Sequence, residues 1–162
     1  MVANETYEQG YVYHIKDEYF IKAEDDKLMM NKEKDSMRPT FYSVKDEETG
    51  LLWFVPMSSQ IEKYRIIMER QIEKRGECLG IVIGEYGGKP SAFLLQNMFP
   101  ATEYYIHHKH TVHGKYVAVR PRLQKEINEN MRRLKVLVKR GIKAVFTDIL
   151  RLESLMLEEL KG

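Results

Sequence analysis

Short apolar clusters in the first two thirds of the chain give way to long stripes spaced by three and four residues at the back. Tyr11 to Ile15 (Tyr-Val-Tyr-His-Ile) predicts a short strand, and Asp17 to Asp26 a short helix with Tyr19, Phe20 and Ile21 as apolar contacts. Lys27 to Met37 reads as a polar loop. Thr40 to Val44 and Leu51 to Val55 are rich in aromatic and β-branched residues and flank Lys45-Asp46-Glu47-Glu48-Thr49-Gly50, the pattern of a hairpin. A helix is expected from about Gln60 to Lys74, with Ile61, Tyr64, Met68 and Ile72 on one face and Gly76 as its left-handed terminus. Leu79 to Glu85 and Ser91 to Gln96, joined through Tyr86-Gly87-Gly88-Lys89-Pro90, predict a second hairpin.

Further on, Glu103 to His108 reads as strand or loop, and Lys115 to Val119 as a possible short strand. From Pro121, suited to a first helical turn, Leu123, Ile127, Met131, Leu134 and Val138 form an amphipathic stripe that Gly141 ends. Thr147 is an expected N-cap for a last helix, with Ile149, Leu152, Leu155, Met156 and Leu160 inward. Antiparallel hairpins in front of a helical final third give an α+β class. Met29, Met30, Met57, Met98 and Met131 are expected to fill gaps in the core.

Composition narrows the class. At 162 residues and 43% hydrophobic content the chain suffices for one core, and ten tyrosines, six phenylalanines and one tryptophan argue against disorder. No apolar run approaches the roughly 20 residues of a membrane span, and Met1 to Gly10 lacks the pattern of a secretory signal. Cys78, the single cysteine, cannot form an internal disulfide; it reads as an inert thiol in a buried strand of a protein of the reducing cytoplasm.

The net charge of +2 hides a segregation. Between Tyr104 and Lys143 stand eleven basic residues against Glu126 and Glu129, a net of +9, so the rest of the chain carries −7. Such a field suits a polyanion, although a solvated helix face would give the same count.

The segment richest in chemistry is Trp53-Phe54-Val55-Pro56-Met57-Ser58-Ser59-Gln60-Ile61-Glu62-Lys63-Tyr64. Ser59 and Glu62 have the spacing of a capping box. A helix start also offers unpaired amides and partial positive charge to a phosphate. Ser58 and Ser59 add hydroxyl donors, and Lys63 a full charge. A metal-free transesterifying ribonuclease needs an aligned 2′-OH, stabilised phosphate oxygens and a route for protons. These three residues supply the second need and part of the others. His107-His108-Lys109-His110 and His113 lack a cysteine or carboxylate that would complete a metal site, so no metal is expected there; one of them could be the general acid or base. His14 reads as a packed, hydrogen-bonded strand residue. Gly84 to Pro90 lacks the phosphate-loop spacing, and Cys78 has no evident partner base.

Pro56-Met57-Ser58-Ser59 before a helix, with Lys63 beyond, resembles the strand–Pro–x–(Thr/Ser)–Ser–helix signature of the ToxN/AbiQ toxins of type III toxin–antitoxin systems. His14-Ile15-Lys16-Asp17-Glu18-Tyr19-Phe20, Asp25-Asp26-Lys27-Leu28-Met29, Asn31-Lys32-Glu33, Arg38-Pro39 and Tyr42 are most similar to its CptN branch. The resemblance runs from about Tyr11 to Tyr64, and more loosely through Gly80-Ile81-Val82 and the basic helix. It implies one domain over 1–162, built on a strongly bent antiparallel sheet or partial barrel as in the MazF and Kid toxins, with surrounding helices. It implies a metal-independent, sequence-specific endoribonuclease leaving 2′,3′-cyclic phosphate, without cofactor. It also implies a partner, a small repeat RNA antitoxin that the toxin processes and then binds as a pseudoknot in a closed assembly.

By position, Ser59 matches the family's central serine, Ser58 its neighbour and Lys63 the active-site lysine, although Lys63 lies further past the serine than in ToxN. Arg38 stands where a lysine precedes the second strand, and Tyr19 resembles an early tyrosine of the site; both are expected RNA contacts. The basic stretch adds Lys115, Arg120, Arg122, Lys125, Arg132, Arg133, Lys139 and Arg140 as an RNA-binding surface. Two other readings use the same face: a non-catalytic RNA- or DNA-binding regulator gripping with helix Pro121 to Arg140, and a module docking an acidic protein.

Overall fold

The seven residues Leu52–Ser58 form a strand in which every side chain is buried, and the rest of the molecule is arranged around it. The computed structural model describes residues 7–29, 32–33 and 36–162, without the side chains of 32, 33 and 36. In chain order the elements are β1 (Val12–Ile15), α1 (Asp17–Ala23), β2 (Lys32–Glu33), β3 (Ser36–Met37), β4 (Thr40–Lys45), β5 (Leu52–Ser58), α2 (Ile61–Arg75), β6 (Ile81–Tyr86), β7 (Lys89–Leu94), β8 (Phe99–Ala101), β9 (Ile106–Lys109), α3 (Pro121–Lys139) and α4 (Ile149–Lys161). The fold class is α+β, as the hairpins and the helical final third predict.

All pairings are antiparallel, in the order β6-β7-β5-β4-β1-β9, with β8 also on β5. The short ribbon β2–β3 stands apart, inside the segment expected to be a loop. β5 changes partner along one edge: Leu52, Trp53 and Phe54 face β8, whereas Met57 and Ser58 face β7. Pro56, which cannot donate to a ladder, falls after the β8 pairing and before the β7 pairing, which explains a proline in a central strand.

Both faces of the sheet are covered. Phe41, Trp53, Val55, Met57 and Phe93 pack with Ile127, Met131 and Leu134 of α3. Tyr42, Phe54 and Phe99 point the other way, toward Tyr19 and Ala23 of α1 and Leu152 and Met156 of α4. The alternation Trp53–Phe54–Val55 is the period-two pattern of a strand, and burial on both sides makes its sequence uniformly apolar. Gly84 lets α3 lie against β6, since a Cβ there would meet Leu123 Cδ2 at 2.7 Å.

The sheet is not closed. Its end strands β6 and β9 do not pair, yet Tyr86 Oη donates to Val117 O at 3.0 Å. A Cβ on Gly87 would lie 3.1 Å from Val112 Cγ2. The loop after β9 therefore abuts the β6–β7 turn, whose Gly87 and Gly88 both have positive φ.

Several local expectations change. Lys115 to Val119 is not a strand: Lys115 makes a single bridge to Val112, and Val119 N bonds Gly10 O, because this edge folds back over the hairpin. Ser59 and Glu62 form no capping box. The N-cap of α2 is Gln60, with no side-chain cap bond, and Glu62 pairs with Arg65. Asp148, not Thr147, caps α4 by accepting from Arg151 N, while Thr147 Oγ1 donates to Met98 O. Cys78 precedes β6, half-buried, its thiol on Gln71 Oε1 and pushed up in pKa by burial. Leu160, expected inward, is exposed, and so is Ile72 on the apolar face of α2. Met57, Met98 and Met131 are buried and Met29 packs at the edge of the core, while Met30 lies outside the described residues. Among the described residues no helix is long and apolar enough to cross a membrane.

Candidate active site

Where β5 ends, two serines separate in environment. Ser58 pairs with Ala92 of β7 and is buried, its Oγ accepting from Gln60 N at 3.2 Å. Ser59 turns outward and is exposed, and its carbonyl accepts from Ile61 N at 2.9 Å. The first intrahelical bond of α2 runs from Tyr64 N to Gln60 O, so the amides of Glu62 and Lys63 precede the ladder. Behind this corner Arg38 is buried at 6% exposure, with Nη1 donating to Met57 O at 2.8 Å. Its guanidinium thus anchors the peptide just before the serines.

The serines open onto a cavity of about 280 Å³ whose other walls are Pro39, the β6–β7 turn from Tyr86 to Ser91, and the loop His110 to His113. His110 is the inner member of this loop. Its Nδ1 lies 2.8 Å from Nε2 of His14 on β1, and its amide bonds Val12 O. His14 is 7% exposed and stacks on His108 at 4.4 Å between ring centroids. Burial, and then the neighbouring imidazoles, lower the pKa of His14 from 6.5 to about 4; burial followed by His108 lowers His110 as well. Both rings are therefore neutral at pH 7. Among the described residues no group of three or more His, Cys, Asp or Glu is arranged to hold a metal ion. Lys89 adds a cation to the rim.

Lys63 does not line this cavity. It is exposed one turn into α2, its ammonium 5.2 Å from the Tyr64 ring centroid. Tyr19, expected as an RNA contact, is a core residue: it is fully buried, its hydroxyl donates to Pro100 O at 2.7 Å, and it packs on Phe99. Arg38 likewise has its guanidinium inside the protein, so a direct phosphate contact gives way to a scaffolding role in this conformation.

The basic stretch divides into two faces. Lys125, Arg132 and Lys139, spaced by seven, share one side of α3 and line a cleft of about 690 Å³ together with Asn128, Lys135 and Val44. On the other side Arg120 is paired with Glu85 at 2.9 Å and Arg133 with Glu77 at 2.8 Å. Arg122 on the helix and Arg140 at its C-terminal cap are exposed, and Lys115 is exposed in the turn after His113. Glu85 adjoins Tyr86, so the start of α3 reaches the rim of the serine cavity through a single ion pair.

A solved structure, that of AbiQ, a lactococcal anti-phage endoribonuclease belonging to the type III toxin–antitoxin system, superposes with a TM-score of 0.69 over 94% of this chain and 98% of that one, at 14% sequence identity. The chain shares the AbiQ fold. No family model and no curated protein matches the sequence. In this AbiQ-like frame the serine corner and the histidine loop, separate in sequence, wall one cavity, and the start of the basic helix reaches its rim through the Arg120–Glu85 pair. Sequence reasoning named the serines but left the histidines open and omitted Lys89. The clue to the histidines was the alternation of His108 and His110, which on a strand share a face; Lys89 had none, since a lysine beside a Gly-Gly turn is ordinary.

Proposed function

We propose that this protein is a metal-independent endoribonuclease toxin of a type III system. It cleaves single-stranded RNA by attack of the 2′-OH on the adjacent phosphate and leaves 2′,3′-cyclic phosphate ends. The observation that carries this reading is the meeting of Ser58, Ser59, Lys89 and His110 around one cavity; a separate cleft with a cationic stripe lies along α3, whose start connects to the cavity rim through Arg120 and Glu85. Ser59 Oγ and the first amides of α2 bind the scissile phosphate, Ser58 holds the corner in shape, and Lys63 strengthens the field from outside. Lys125, Arg132 and Lys139 track the backbone of the bound strand, with Lys115, Arg122 and Arg140 extending the surface. Arg120 and Arg133 contribute less because each already faces a carboxylate.

The likeness to AbiQ, an endoribonuclease of a type III toxin–antitoxin system, supports an RNA antitoxin as the partner; from the sequence resemblance we read it as a repeat RNA processed by this cavity and held in a closed cytoplasmic toxin–RNA assembly. The short matches around Asp25 to Met29 and Arg38 favour the CptN branch. The test is to incubate purified protein with RNA and a chelator and to map the product ends. Cyclic phosphate termini at a defined sequence support the proposal; intact RNA that the protein nevertheless binds would leave a non-catalytic regulator.

A further inference from the structure

We propose that His110 is the catalytic residue that takes the 2′-OH proton in this cavity, and that His14, buried behind it, is its positioning residue. The inference rests on the ribonuclease reading above. It comes from the way one strand pair delivers two imidazoles to each other. β1 and β9 set His14 opposite His108, and the chain leaving β9 then brings His110 Nδ1 to His14 Nε2 at 2.8 Å. The bond from His110 N to Val12 O fixes the backbone, and stacking on His108 fixes the His14 ring. With Nδ1 held by His14, the catalytic edge of His110 is the opposite one, Nε2, on the residue that lines the wall facing the serines.

Two neutral imidazoles joined by one hydrogen bond have two arrangements. If His110 Nδ1 donates to His14 Nε2, then His110 Nε2 carries a lone pair and can act as base. If His14 donates instead, His110 Nε2 carries the proton and can act as acid. Burial keeps both rings uncharged near neutrality, so the pair enters the reaction with one ring nitrogen free to accept a proton. In the cleavage step His110 Nε2 takes the 2′-OH proton, and the freed oxygen pair forms the new O2′–P bond. The P–O5′ bond breaks with its electron pair on O5′, which takes a proton from water, and the resulting hydroxide is neutralised by the proton of the imidazolium. The products are a 2′,3′-cyclic phosphate and a 5′-hydroxyl, with no net consumption of water. His14 holds the ring at the correct tilt and carries the hydrogen bond through both protonation states.

The test measures single-turnover cleavage, RNA affinity and Tm for wild type, His110→Ala, His110→Gln, His14→Gln and His14→Phe. His110→Ala and His110→Gln are expected to cleave about 100- to 1,000-fold more slowly, with affinity unchanged. Imidazole added to the buffer should restore part of the rate in His110→Ala only. His14→Gln, which can still hydrogen-bond His110, should retain more activity than His14→Phe, which keeps a ring on His108 without that bond. Wild-type rates in a folded His110→Gln protein overturn the assignment, and so does a loss in His110→Ala that imidazole does not relieve and that RNA affinity shares. Absence of cleavage by the wild type itself removes the nuclease reading and this inference together, whereas wild-type cleavage with indifferent His110 variants removes this inference alone.

Discussion

The ammonium of Lys135 lies 3.8 Å from the centroid of the Trp53 ring, tying the middle of α3 to the strand that ends at Ser58. Trp53 is 1% exposed, so the cation rests on a buried aromatic face and has lost much of its water. Attraction to the ring offsets only part of that loss, and burial lowers the pKa of Lys135 to about 8, against smaller opposing pulls from Asp46 and Glu153. The lysine therefore loses its charge as pH rises through about 8. Its contribution to RNA affinity in the α3 cleft should be full at pH 7 and nearly absent at pH 9. Comparing Kd for wild type and Lys135→Gln at the two pH values checks this: the variant should bind more weakly only at the lower one. An equal deficit at both would show that Lys135 acts through packing.

The two faces of α3 should differ in their response to salt. Arg132 lines the open cleft, while Arg133 is engaged by Glu77 through both Nη atoms at 2.8 and 3.0 Å. For single strands, log Kobs changes with log salt by about −0.7 for each phosphate neutralised. Arg132→Gln should flatten that slope by about 0.7 and weaken binding several-fold at low salt. Arg133→Gln should change the slope little, because a surface pair is worth at most about 1 kcal/mol and its arginine is already partly satisfied. A titration series from 50 to about 300 mM salt separates the two, and identical slopes would count against the cleft as the RNA path.

How much of this could be read beforehand depended on whether the signal was local. The hairpins around Gly50 and Gly87-Gly88 and the stripe Leu123–Ile127–Met131–Leu134 depend on near neighbours and appear where the pattern places them. The end of β5 does not: Pro56 suggests a strand stop, but the change of partner from β8 to β7 carries the strand on to Ser58 and buries that serine. Tyr19 failed for a similar reason. An amphipathic tyrosine next to acidic residues suits a site or a core equally well, and only the packing of α1 on Phe99 and Pro100 decides between them. The His14–His110 contact joins residues 96 apart, which no local pattern encodes.

Ser58 and Ser59 should fail differently when truncated. Ser58 Oγ is buried and satisfies the amide that leads into α2, so Ser58→Ala should cost about 1 kcal/mol of stability and reduce activity only through loosening of the corner. Ser59 is exposed on the cavity wall, so Ser59→Ala should cost less stability than Ser58→Ala and slow cleavage about 100-fold, the usual size of one lost oxyanion donor. Denaturant midpoints and cleavage rates on the same preparations test both halves. A Ser59 variant that cleaves normally would move the phosphate site to the helix amides and Lys89.

Acid should weaken the fold through the histidines before it reaches most carboxylates. His14 titrates at about 4 in the folded chain and near 6.5 when unfolded, so between these values the unfolded state binds more protons. Stability is therefore fully present above pH 6.5 and declines as pH falls toward 4, by up to about 3 kcal/mol for a shift of this size. His108 and His110 are lowered too, and act in the same direction. The groups facing His14 are these two rings, His107 and the Arg38 backbone; only the last raises its pKa, against the larger effects of burial and the rings, and no nearby carboxylate reverses the sign. His14→Phe, which preserves the stack on His108 but cannot titrate, should show a shallower loss of urea midpoint between pH 7 and pH 5 than the wild type. Parallel curves for the two proteins would mean that His14 is protonated in the native state at mild acidity, and that the buried imidazole pair is more open to water than its 2.8 Å contact implies.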